Sequence, residues 1–210
     1  MGHLEWRAKS GFALIVAGRT IVCTHSCVFL LASIIGLTSV PSSAVIAAGS
    51  DKEYRVKAAF VLNFASLIEW PSETFRGPED PIVICHVGGS RTKSLLDTVY
   101  SGRMVARRPI EIRHLSSSEM VSGCHVVFIT AERGEELREF LAAAFGKSIL
   151  TIGETDGFAG SGGVIGFYSD GPKIRFEINL GAAESAKLRI GSRLLRLARL
   201  VSSESEMVSP

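Results

Sequence analysis

Apolar positions recur at helical spacing across residues 50–71 (SDKEYRVKAAFVLNFASLIEWP), where Val56, Phe60, Asn63, Phe64 and Leu67 fall on one stripe. The spacing predicts a helix over 50–71 whose stripe is buried by elements that fold later. Ser50 followed by Glu53 reads as a capping box at its start, and Pro71 supplies the stop.

Beyond a polar connector, the β-branched run Ile82–Val87 reads as a buried strand that ends at Gly88 and Gly89. Residues 91–101 return to helical spacing through Leu95, Leu96 and Val99. Residues 110–114 alternate after Pro109, and 124–130 is a second apolar strand. A helix over 133–145 presents Leu137, Phe140, Leu141 and Ala144 on one face, with Gly146 at its C-terminal cap, and a short strand follows at 149–152. Segments 164–168 and 173–180, joined by Ser169, Asp170, Gly171 and Pro172, read as a hairpin. Its second strand sets Lys173, Arg175, Glu177 and Asn179 on a polar face, opposite Ile174, Phe176, Ile178 and Leu180. A last helix is predicted over 182–201, bent near Gly191. The fold class is α/β: a mostly parallel sheet flanked by helices on both faces, with an antiparallel C-terminal hairpin as its edge.

The chain has 210 residues, and its first part has the order of a secretion signal. Arg7, Lys9 and Arg19 precede an apolar run over 28–37, followed by Pro41 and a string of small residues. That run is about ten residues, short of the roughly twenty needed to span a bilayer, which favours cleavage after Ala47 or Ala48 over a retained anchor. The expected organisation is a signal peptide at 1–48, one α/β domain at 49–201 and a disordered tail at 202–210. Removing the leader takes three of 23 basic residues and one of 21 acidic ones, leaving 20 against 20. A near-neutral exported domain is disfavoured as a nucleic-acid binder.

Of four cysteines, Cys23 and Cys27 belong to the leader, and Cys85 and Cys124 remain. In an oxidising compartment a disulfide is their simplest reading; two free buried thiols are the alternative. A zinc site with His86 and His125 is disfavoured because neighbouring strand residues point to opposite faces. Segment 87–91 is a glycine-bearing strand-to-helix turn that fits neither nucleotide-binding pattern, and Gly157, Gly160, Gly162 and Gly163 crowd a loop without a nucleophile. Catalysis is not supported, and no cofactor or metal is implied. Arg189, Arg193, Arg196 and Arg199 form a basic stripe on the predicted last helix, either solvated or a docking surface for an acidic domain or lipid headgroups.

In order, YRVKAAFVLNFASLIEWP, IVICHVGG, CHVVFIT, ILTIGETDGFAGSGGVIGF, KIRFEINL and LRIGSRLLRLARLV resemble the YfiR family. Members are small exported proteins that repress a membrane-bound diguanylate cyclase by binding its periplasmic sensor domain. The resemblance covers residues 54–201. It implies a periplasmic, non-enzymatic homodimer of α/β fold, with an outer-membrane lipoprotein as a competing partner and Cys85 and Cys124 as a disulfide. Some members carry a second cysteine pair, for which Ala159 and Gly166 stand here. Partner contact in the family involves the hairpin and C-terminal region, which points to Ile165, Arg175 and Glu177. A small-molecule-sensing module with its ligand near Gly88 and Gly89 is the competing expectation.

Overall fold

The computed structural model describes residues 42–130 and 134–202. The residues expected as leader up to position 41, and the tail from 203, lie outside them.

Helix α1 spans Ser42–Leu67 and so runs straight through Ser50. Ser50 is therefore not at the helix start, where a capping box acts. Glu53 instead pairs with Lys57 one turn on, at 2.6 Å. The buried stripe is also rotated from the predicted one: Ala58, Val61, Phe64 and Ala65 are covered, whereas Val56 and Asn63 face outward. Small residues at the contact let the helix lie close to the sheet, and Phe64 meets Phe176 with ring centroids 4.9 Å apart. Burying one such phenylalanine contributes about 1.5–3 kcal/mol.

After α1 the chain forms β1 (Ile68–Glu69), β2 (Ile82–Val87), α2 (Ser90–Tyr100), β3 (Met104–Val105), β4 (Arg108–His114), β5 (Val126–Ile129), α3 (Gly134–Ala144) and β6 (Leu150–Gly153). The last third comprises β7 (Ile165–Asp170), β8 (Lys173–Asn179), α4 (Leu180–Ser185), β9 (Arg189–Ile190), α5 (Ser192–Leu195) and β10 (Arg199–Val201). Eight strands form one sheet in the order β10-β8-β7-β6-β5-β2-β4-β3, while β1 and β9 make a separate antiparallel pair. Within the large sheet only β7–β8 and β3–β4 run antiparallel. The α/β class with a mostly parallel sheet holds.

Two apolar clusters lie on the two faces of the sheet. One gathers α1, α2, α4 and α5 over Ile82, Ile84, Phe128 and Ile178; the other gathers α3 over Val83, Cys85, Val127 and Ile129. Successive β2 residues thus divide between the two sides, as pleating requires.

Two predicted elements differ. The segment 182–201 is not one bent helix but α4, β9, α5 and β10 in turn. Lys187 adopts a left-handed φ of 56°, and Gly191 donates its N–H to the carbonyl of Leu67 at 3.0 Å. A Cβ at Gly191 would stand 2.8 Å from that oxygen, so a bare backbone is required there. The hairpin, in turn, is not the sheet edge, because β10 pairs in parallel outside β8 with Arg199 beside Glu177.

Candidate functional site

Residues pointing to one face of the β7–β8 hairpin follow from its register. Gly166 opposes Glu177, Tyr168 opposes Arg175 and Asp170 opposes Lys173, and β10 sets Arg199 beside Glu177. These side chains share one surface. Arg199 donates from Nε to Glu177 Oε2 at 3.1 Å, and its guanidinium lies over the Tyr168 ring, 4.1 Å from the centroid. The Glu177 side chain is 8% exposed and that of Arg199 55%. The carboxylate beside it raises the pKa of Arg199 further. Farther along, Arg175 faces Asp170 at 3.6 Å and is open to solvent. Arg175 also reaches the rim of a groove of about 590 Å³ between the hairpin and α1, whose apolar floor includes Val56, Phe60 and Ile174.

Of the three residues expected to meet a partner, Arg175 and Glu177 therefore lie on this face and Ile165 does not. Ile165 is fully buried in the core under α1. Its side chain points away from those of Arg175 and Glu177, since one position along a strand reverses the face. Glu177 is also less available than a polar edge residue, because Arg199 occupies it. Leu200, the next residue after Arg199, is exposed on the opposite face, in register with Ile178.

The four arginines do not form a helical stripe. Arg189 lies on β9 opposite Glu69, Arg193 in α5, Arg196 at its end and Arg199 on β10. Only Arg199 belongs to the hairpin face.

Cys85 and Cys124 are bonded to each other, with Cα atoms 5.8 Å apart. Their histidine neighbours turn elsewhere. His125 Nδ1 accepts from the Val83 N–H at 3.0 Å, and its ring stacks on Phe75 with centroids 4.6 Å apart. His86 lies on the opposite face of the sheet in a buried chain of hydrogen bonds. The Thr130 hydroxyl donates to the Val87 carbonyl and accepts from His86 Nε2 at 2.9 Å, which leaves His86 Nδ1 as acceptor toward His114 Nδ1 at 3.3 Å. His114 Nε2 meets Asp97 at 2.8 Å, tying β4 to α2. Burial, with His114 beside it, pushes the His86 pKa down to about 4.

This chain fills the crevice beside Gly88. A Cβ there would fall 2.0 Å from Thr130 Oγ1 and 2.9 Å from His86 Nε2. The glycine-crowded loop has a comparable reason: Phe158 is held between Gly153 and Gly163, where a Cβ at either would stand 2.1 Å from its ring. Ala159 and Gly166 are neighbours, since a Cβ at Gly166 would lie 3.3 Å from the Ala159 nitrogen. This chain has no cysteine at either position.

Among the described residues, no helix is long and apolar enough to cross a membrane. No curated protein matches the chain. Among solved structures, it is similar to the ABC domain in complex with L-Trp from Streptococcus pneumonia, with 10% identity and a TM-score of 0.43 over 57% of this chain and 55% of that one. It is also similar to a conserved domain protein from Vibrio cholerae O1 biovar El Tor, with 12% identity and a TM-score of 0.45 over 57% and 54%. The matched region spans about half the length of each of those chains. The model of the DUF4154 family, described as YfiR/HmsC-like, matches residues 54–199, so the chain belongs to that family.

Proposed function

We propose that this protein is a non-enzymatic periplasmic repressor that binds the sensor domain of a membrane diguanylate cyclase and lowers cyclic di-GMP synthesis. The observation that carries the reading is the family match across residues 54–199, nearly the whole folded domain. The hairpin face suits the role. It sets charges of both signs at short range, Arg175 with Asp170 and Arg199 with Glu177. Such a surface confers orientation and selectivity on a protein contact.

Repression needs only differential affinity. If the protein binds the inactive sensor conformation more tightly, it shifts the cyclase population toward that state, and a change from 1:99 to 99:1 requires about 5.5 kcal/mol of preference. Homodimerisation and displacement by an outer-membrane lipoprotein belong to the same proposal. Co-expression with a cyclase that carries a periplasmic sensor domain should lower cellular cyclic di-GMP; an unchanged level would refute the reading.

A further inference from the structure

A second cleft, of about 630 Å³, opens at the amino ends of β2 and β5 beside the disulfide. Four separate segments build it. The connector before β2 supplies Thr74 and Arg76, β4 supplies Arg113, the turn before β5 supplies Gly123, and the turn before β6 supplies Lys147. The connector is held rigidly, because Phe75 stacks on the His125 ring at 4.6 Å and has the Arg108 guanidinium 3.9 Å from its centroid. Arg108 in turn donates to the carbonyls of Gly77 and Asp80 at 2.7 and 3.0 Å.

The charges of this cleft are unevenly satisfied. Asp80 is occupied by the backbone N–H groups of Arg76 and Gly77, at 2.7 and 3.0 Å. Glu111 takes only the Nε of Arg113, at 2.7 Å, so the guanidinium's outer nitrogens stay available above Gly123. Among the described residues, neither Arg76 nor Lys147 has a carboxylate in ion-pair reach. Thr74 Oγ1 is buried at the cleft with no hydrogen-bond partner. His125 forms part of the wall: its Nδ1 accepts from the Val83 N–H, and its Nε2–H is engaged by the Thr74 backbone.

We propose that this cleft binds a small molecule bearing a phosphate or carboxylate group, held by Arg76, Arg113 and Lys147. Cations brought together from three separate segments, two of them without a carboxylate partner and the third with its outer nitrogens available, are the recognition chemistry of an anion. The site is independent of the regulatory reading, because binding is measured on the protein alone.

Isothermal titration with inorganic phosphate and with succinate, at constant ionic strength, tests it and separates the two anion sources. Saturable binding of at least one is expected. Arg76→Gln and Lys147→Gln should each weaken it about threefold to tenfold, the worth of one charged contact at a wet rim. Arg138→Gln, which removes an exposed cation of α3, should leave it unchanged. No saturable binding of either anion, or an equal loss with Arg138→Gln, overturns the proposal.

Discussion

Arg199 on the outermost strand reaches across to Glu177 on its neighbour, so a half-exposed guanidinium neutralises a carboxylate that is almost fully buried. The two sites of the pair are therefore unequal. Arg199→Ala leaves the Glu177 charge buried without a partner and is expected to destabilise the fold by about 1–3 kcal/mol. Glu177→Gln, which keeps the shape and removes the charge, should lose less. Urea midpoints of the two variants decide the order.

Arg175 is open to solvent and its ion pair with Asp170 is exposed on both sides. Arg175→Glu should change stability by no more than about 0.5 kcal/mol. On the proposed function, the same variant should relieve repression, read as cyclic di-GMP in cells co-expressing a cyclase. Retained repression would remove Arg175 from the interface.

Acid should weaken the protein through His86. Its pKa is about 4 in the native state against 6.5 ordinarily, so between those values the unfolded chain takes up a proton that the folded one refuses. The stabilisation is present above about pH 6.5 and is lost as pH falls toward 4, by about 3 kcal/mol at most. Burial also lowers the His125 pKa, which acts in the same direction. The difference in urea midpoint between pH 7 and pH 4.5 should therefore shrink in His86→Asn but not vanish.

The Cys85–Cys124 bond joins residues 39 apart in sequence. A closed loop of that size removes denatured-state entropy worth about 4 kcal/mol at most. Reductant should lower the thermal midpoint of the protein, whereas the double variant Cys85→Ala, Cys124→Ala should start lower and not respond.

The alternation of apolar and polar positions located β2, β4, β5, β6 and the hairpin well, because each strand's burial is a local matter of period. It misplaced what depends on distant partners. Leu188, Leu194, Leu195 and Ala198 do fall at helical spacing, yet the segment is cut by the left-handed Lys187 and by Gly191 against Leu67, and it ends by pairing with β8. Ile165 lies in a run, Val164 to Phe167, without a polar residue, so no pattern distinguishes its two faces. Spacing groups Arg199 with three other arginines, because its neighbour Glu177 is brought to it only by the β8–β10 pairing. The anion cleft leaves no motif either, since Arg76, Arg113 and Lys147 come from three separate segments.

β10 is only three residues long, yet it occupies the margin of an eight-stranded sheet. Without it, the much longer β8 would present a free row of backbone donors and acceptors, the template on which strands of other chains aggregate. The short strand covers Glu177, Ile178 and Asn179 and so confines the open margin of β8 to its first four residues. The same few residues that complete the hairpin face thus shorten the row on which another strand could pair.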